Sequence, residues 1–261
     1  MSNPSDRIPV DLTLVGGPTM LISIGGLNLL TDPTLDPPGD HPVGDRVLVK
    51  THGPALCEAE LPKIDVVLLS HEQHPDNLDD RGRALTARVP RVLTTEQSAA
   101  KLGENATGLR PWTGIDLPRP DGGTVHITAV PAQHGPENTQ DRTGDVTGFV
   151  LSAPDVPGIY ISGDNASLRA VDQVAQHSPR IAIAILFGGR ARAPYLDAYL
   201  TLGGKQLHQA FATLGAEVAV PVHLTGWRHL TEDAQAVQEA FEAAGDRERL
   251  ILLSPGESCR R

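Results

Sequence analysis

Four short apolar runs in this chain stop abruptly at a histidine or an aspartate. VVLLS (66–70) runs into His71-Glu72-Gln73-His74-Pro75-Asp76-Asn77, and ITAVPAQ (127–133) runs into His134. YISG (160–163) ends at Asp164-Asn165, and VAVPV (218–222) ends at His223. Continuous apolar runs rich in β-branched residues read as strands buried on both faces. Buried strands are stiff, so polar side chains delivered by several strand ends hold a fixed geometry. This pattern demands a sheet-based fold in which one edge collects imidazoles and carboxylates.

The rest of the chain supplies the order of elements. Val10–Val15 and Thr19–Ile24 flank Gly16-Gly17-Pro18 as a hairpin, and Leu27–Thr31 follows. Segment 32–52 is rich in Pro, Gly and Asp and reads as a loop long enough to fold over a site. Helical patterns fall at 78–88, 96–102, 167–177, 202–214 and 232–244. Further strand patterns fall at 91–94, 124–130, 147–152, 158–162, 181–187 and 250–253. A β-rich half is thus followed by alternating strand and helix, with no linker or internal repeat, so residues 1–261 read as a single domain. Two packed sheets with helices outside would bury these strands, although periodicity alone fits a three-layer sandwich equally.

Composition narrows the functional classes. Hydrophobic residues at 39% and charged residues at 21% suit a globule rather than a disordered chain. Twenty-two Lys and Arg against 32 Asp and Glu give a net charge of −10. That balance argues against nonspecific nucleic-acid binding, which needs a basic footprint, but leaves room for a nuclease with a local basic groove. No run approaches the roughly 18 apolar residues of a membrane span. The start, MSNPSDRIPV, lacks the basic and apolar regions of a signal peptide. Cys57 and Cys259 cannot build a disulfide framework, which points to a reducing, cytoplasmic setting. Ten histidines then leave imidazole and carboxylate as the available metal ligands, a set suited to Zn, Mn or Fe.

From about Leu12 onward the chain resembles the metallo-β-lactamase fold superfamily. The resemblance rests on LLTDPTLDPPGD (29–40), VVLLSHEQHPDNLD (66–79), VPAQHGP (130–136), VTGFVL (146–151), YISGDN (160–165) and PVHLTGWRHL (221–230). Their order and spacing are similar to the subgroup of ascorbate-6-phosphate lactonase-like, metal-dependent hydrolases. The resemblance implies a four-layer αββα sandwich with its site at one edge of the two sheets. It also implies ligands, position by position. The superfamily's first metal motif is His-x-His-x-Asp-His. Aligned on Asp76, His74 matches the second His and Asn77 stands where the last His falls. The first His position falls on Glu72, with His71 one residue early; His71 is preferred and Glu72 is the alternative. His134 matches the third His of the first metal position, Asp164 the bridging Asp, and His223 the last His. Asp79 is a candidate to replace the imidazole lost at Asn77.

The function implied is hydrolysis of a small ester, lactone or phosphorylated metabolite by metal-activated hydroxide, with one or two Zn2+ or Mn2+ ions per chain. Asp76 would orient the nucleophile and accept its proton, and His229 would assist as a catalytic group. Asn77, Trp227 and Arg228 are candidate pocket residues, and Arg228 suits a carboxylate or phosphate. Asp32 would shape the site from behind. His41, His52, His126, His177 and His208 read as structural or solvated. The expected partner is a small molecule, with no membrane; nucleic acid is disfavoured and a homo-oligomer stays open. Two alternatives remain at this level: a phosphodiesterase or nuclease of the same fold, and a degenerate member that binds a ligand without turnover.

Overall fold

The computed structural model describes residues 7–261; the first six, where the segment read for a signal peptide begins, lie outside it. The chain runs through β1 (Val10–Gly16), β2 (Thr19–Ile24), β3 (Leu27–Thr31), β4 (Gly39–Val43), β5 (Arg46–Lys50) and β6 (Val66–Leu68) to helix α1 (Asp80–Thr86). Next come β7 (Val92–Thr94), α2 (Glu96–Ala99), β8 (Ala106–Gly108), β9 (Gly114–Pro118) and β10 (Thr124–Pro131). They lead to α3 (Gln140–Thr143), β11 (Thr147–Ala153), β12 (Val156–Ile161) and α4 (Leu168–His177). The last third holds β13 (Ile183–Phe187), β14 (Arg192–Ala193), β15 (Ala198–Tyr199), α5 (Gly204–Leu214), β16 (Val218–Val222), α6 (Ala234–Ala243) and β17 (Ser258–Arg260).

Seven strands form one sheet in the order β17-β1-β2-β3-β6-β7-β8, and six form a second in the order β16-β13-β12-β11-β10-β9. Side-chain alternation explains how the layers stack. Met20, Ile22 and Ile24 of β2, with Val66 and Leu68 of β6, enter the core between the sheets. Leu21 and Val67, one residue out of phase, pack outward with Leu78 and Leu85 beside α1. The second sheet does the same: Phe149 and Ile161 face the inter-sheet core, while Val150 and Tyr160 join Val171, Phe211 and Phe241 of α4, α5 and α6. Strands covered on both faces must be apolar throughout, which is why their sequences show runs rather than alternation. The result is the expected αββα sandwich. Ala129, Phe149, Ile161, Ile185 and Val220 pair in one row across the second sheet. That register brings the carboxyl ends of β10, β12, β13 and β16 to one edge.

Two expectations are corrected. Segment 32–52 is not all loop: β4 and β5 pair as an antiparallel hairpin from Gly39↔Lys50 to Val43↔Arg46. Its exposed positions and its Pro42 and Gly44 mask any strand period, because only one face meets the protein. Conversely, 250–253 is not a strand of the sheet; Leu250 makes a single bridge to Ala219. The closing strand is β17, which pairs with β1 at the sheet's edge and is too polar to read as a strand.

Helix α1 is docked directly behind the site. A Cβ on Gly82 would sit 1.8 Å from the Pro33 carbonyl oxygen. Alanine in place of helical glycine ordinarily stabilises by about 1 kcal/mol. Here Gly82→Ala is expected to destabilise by about 1–3 kcal/mol through overpacking. Urea denaturation checks this: a lower midpoint is expected, and an unchanged or higher one would contradict the docking.

Candidate metal centre

The strand ends deliver two clusters of buried ligands. His71, His74 and His134 form one, and Asp76, Asp164 and His223 the other; within each, the potential ligand atoms lie within 4.8 Å of one another. In the first cluster the hydrogen bonds fix which nitrogens are free. Asp32 accepts from the Ser70 N–H and the Ser70 hydroxyl, each at 2.6 Å, and from Asn77 Nδ2 at 3.0 Å. With its proton committed to Asp32, the Ser70 hydroxyl accepts from His71 Nδ1 at 2.9 Å. His134 Nδ1 donates to the Leu200 carbonyl at 3.1 Å. A neutral imidazole carries one N–H, so His71 Nε2 and His134 Nε2 both present lone pairs. His74 Nδ1 lies 2.9 Å from the first and 3.2 Å from the second, and one proton cannot serve both. Three nitrogens thus converge at nearly the ~3.3 Å spacing that ~2.05 Å bonds to a tetrahedral ion would set.

Electrostatics favour the ligand forms. Burial, with repulsion from His74, pushes His134 down to about 3. Burial also lowers His71, by a wide margin, and His74. All three are therefore neutral at ordinary pH, as metal ligation requires. In the second cluster burial pushes Asp164 up to about 6. Burial acts the same way on Asp76, but His229 and His223 outweigh it and hold its carboxyl well below the usual range. Burial would lower His223, yet Asp164 and Asp76 raise it instead.

Local backbone explains the convergence. The N–H groups of Asn77 and Leu78 both return to the His74 carbonyl, so the chain coils after β6 and swings Asp76 inward. Gly163 precedes Asp164 at φ +56, where a Cβ would lie 2.6 Å from the Thr147 carbonyl oxygen and 2.7 Å from Ser70 Cβ. His223 takes φ +59, rare for a residue with a Cβ, and its N–H donates to the Gly17 carbonyl at 2.8 Å. The first hairpin thus holds the last histidine in place.

The donor set fits a divalent ion on independent grounds. Asp76 Oδ1, both carboxylate oxygens of Asp164 and both ring nitrogens of His223 are buried without hydrogen-bond partners. Unpaired buried polar atoms are costly, and such a concentration at one place marks a site that a cation completes.

The structure places the remaining candidates as follows. His71 joins the cluster, whereas Glu72 is drawn to Lys101 at 2.7 Å and Arg83 at 3.0 Å. Asp79 does not replace the missing imidazole. It caps α1 through the Gly82 N–H, accepts from the backbone of Leu35 and Asp36, and pairs with Lys50 at 2.8 Å. A cavity of about 660 Å³ opens over the clusters and includes His74, Asp76, His134, Arg228 and His229 in its wall. His229 Nε2 reaches Asp76 Oδ2 at 3.0 Å. Asn77 and Trp227, expected in the pocket, lie outside that wall. Asn77 is fully buried and turned to Asp32, while Trp227 is buried against His41 and Lys50. None of His41, His52, His126, His177 and His208 enters either cluster. Sequence reasoning missed Arg46, Tyr195 and Leu200, which line the cavity from segments without strand or motif signals.

A family model described as "Beta-lactamase superfamily domain" matches residues 27–224. The chain therefore belongs to the β-lactamase superfamily, the class its four layers and edge site define. Among its relatives, a "UPF0173 metal-dependent hydrolase" from Methanosphaerula palustris is 29% identical over 81% of this chain and 90% of that protein. One from Pyrococcus abyssi is 24% identical over 74% of this chain and 80% of its own length. Among solved structures, an isothiocyanate hydrolase from Delia radicum gut bacteria superposes with a TM-score of 0.80 at 22% identity, covering 95% of this chain and 98% of that one. Igni18, a metallo hydrolase from Ignicoccus hospitalis, gives 0.73 at 19% identity over 97% and 98% of the two chains. At these identities the likeness shows a shared fold. No helix among the described residues is long and apolar enough to cross a membrane.

The raised Asp164 carboxyl makes a stability prediction. Its folded value of about 6 lies above the ordinary ~3.9, so ionising it in the fold costs stability. That cost is fully present above pH 6 and is relieved as pH falls through 6 towards ~3.9. In chelator-stripped protein at pH 7.5, Asp164→Asn is expected to stabilise by on the order of 2 kcal/mol, a gain that shrinks below pH 5. Added Zn2+ should reverse the order, because only the parent keeps the carboxylate ligand. Calorimetric melting checks both; a stripped variant melting below its parent at pH 7.5 would contradict the assignment.

Proposed function

We propose that this protein is a metal-dependent hydrolase acting on a small ester, lactone or phosphorylated metabolite, with Zn2+ or Mn2+ at the centre. The observation that carries this reading is the convergence of three imidazole lone pairs beside a buried Asp-Asp-His group. His71, His74 and His134 would hold one ion, and Asp76, Asp164 and His223 a second. A bound divalent ion polarises the attacked oxygen and lowers the pKa of water from ~15.7 to about 7.

The chain's own groups do the rest. Asp76 is tethered through Oδ2 to His229, which leaves Oδ1 without a partner in the fold. Oδ1 orients the attacking water and takes its proton. The water oxygen bonds to the acyl carbon or phosphorus, the bond to the leaving oxygen breaks, and the leaving group receives a proton. His229 stands in the cavity wall; its Nε2–H, held by Asp76 Oδ2, is the proton placed for the leaving group, and Asp76 returns the water's proton to Nε2. Relatives named as metal-dependent hydrolases support the reaction class. The lactonase-like subgroup remains a proposal carried by the motif resemblance, and a cytoplasmic setting one carried by the two unpaired cysteines.

A substrate panel on protein reconstituted with Zn2+ or Mn2+ tests this reading. Lactones and carboxylic esters are set against bis-p-nitrophenyl phosphate and cyclic nucleotides. Turnover of the first group is expected, and exclusive turnover of the second would favour a phosphodiesterase. Asp76→Ala should lower kcat/KM by about 10²–10⁴-fold, the usual worth of a positioned proton acceptor. Near-native turnover in that variant would show the role of Asp76 to be wrong.

A further inference from the structure

The cavity over the metal centre joins two unlike surfaces. One is apolar: Val43, Val47 and Leu48 of the β4–β5 hairpin, with Ala193, Pro194 and Leu200 from the segment that follows β13. The other is cationic. Arg46 and Arg228 also line the cavity, and neither guanidinium has a carboxylate partner among the described residues. Arg192, by contrast, is already paired with Asp197. Elsewhere in this acidic chain most arginines are neutralised, as Arg83 is by Glu72, Arg88 by Glu58 and Arg190 by Glu232, with Arg91, Arg142 and Arg261 the other exceptions among the described residues. With a net charge of −10 there are carboxylates to spare, so two free guanidiniums at one cavity are not a shortage of partners. Arg46 also lies over the Tyr195 ring, 3.8 Å from its centroid, and the Tyr195 hydroxyl is buried without a partner. A guanidinium is a strong donor to an oxyanion.

The apolar wall sets the rest of the ligand. A polyhydroxylated sugar would lose hydration against Val43, Val47 and Leu48 with few groups to replace it, and each unmet hydroxyl is costly. An aliphatic or aromatic body would gain by burial there.

We propose that the substrate is an anionic amphiphile: an apolar chain or ring whose carboxylate or phosphate head docks on Arg46 and Arg228, with its hydrolysable bond at the metal centre. This rests on the hydrolase reading above. It separates the substrate from uncharged sugar lactones and from small neutral electrophiles, neither of which uses the two arginines. The positive mouth on a negative protein also steers such an anion to the cavity, and the steering weakens with salt.

Two measurements on the metal-loaded protein test it. In the first, kcat/KM for monomethyl suberate, which carries one carboxylate, is compared with that for neutral dimethyl suberate. The monoester should be favoured by at least ~10-fold, about the worth of one charge-assisted hydrogen bond. Arg46→Ala and Arg228→Ala should each lower kcat/KM for the monoester ~10-fold more than for the diester, through KM rather than kcat. In the second, calorimetry follows binding of octanoate and octyl phosphate to the parent and to both arginine variants. Whichever binds the parent more tightly identifies the head group, and its affinity should fall ~10-fold in each variant. Loss of anion binding in the variants without turnover of either ester would sink the hydrolase reading and leave the anion site standing. Anions that bind both variants as tightly as the parent, or a diester that equals the monoester, would overturn the proposal.

Discussion

Three imidazoles buried side by side, each turned so that a lone pair points at the same place, are unfavourable unless a cation sits among them. Much of the surrounding structure serves to impose that arrangement. Asp32 orders Ser70, and Ser70 orders His71. The Leu200 carbonyl orders His134. Burial keeps all three rings neutral. Partners that fix a ligand's tautomer count as much as the ligands themselves. Burial pushes Asp32 up to about 7 even though the bonds from Ser70 and Asn77 oppose it. The residue that occupies a histidine's place in the family motif has thus become a support for the opposite side of the site.

The sandwich is what makes this strain tolerable. Apolar layers on both faces of both sheets hold the strand ends rigid, so residues at φ +59 and φ +56 stay in place at His223 and Gly163. Gly163 and Gly82 mark where backbone packs so closely behind the site that a Cβ would press on Ser70 and Pro33, and the Gly17 carbonyl holds His223. Over this rigid floor lies a roof of different character. The β4–β5 hairpin reaches the body through the Lys50–Trp227 bridge, the buried Lys50–Asp79 pair, the Arg228 N–H bonded to the Val49 carbonyl, and the stacking of Arg46 on Tyr195. A rigid metal floor under a roof built from loop and hairpin side chains is the division of labour expected when chemistry is fixed and substrate choice is variable.

How much of this the sequence carries depends on which force shapes each part. Strand ends are legible because apolar runs such as VVLLS and VAVPV must stop where the sheet stops, and the next residue is then placed at the sheet edge as a candidate ligand. His74, Asp76, His134, Asp164 and His223 all fall at those stops and all enter the clusters. The choice between His71 and Glu72 was not legible, since both suit a ligand and the motif is offset by one residue. It is decided by Arg83 and Lys101, distant in sequence, which claim Glu72. The hairpin at 39–50 was lost among prolines and glycines, and with it Arg46. Asn77 and Trp227 looked like pocket residues by proximity in sequence, but side-chain direction is set by packing against Asp32 and His41. The cavity wall is therefore mostly a tertiary property, assembled from segments with no shared pattern.

Anomalous diffraction at the Zn and Mn edges, on crystals of the metal-loaded protein, bears most directly on the central claim. A peak is predicted about 2.0–2.1 Å from each of His71 Nε2, His74 Nδ1 and His134 Nε2. Absence of density at that point, with the three rings hydrogen-bonded to one another or to water, would contradict it.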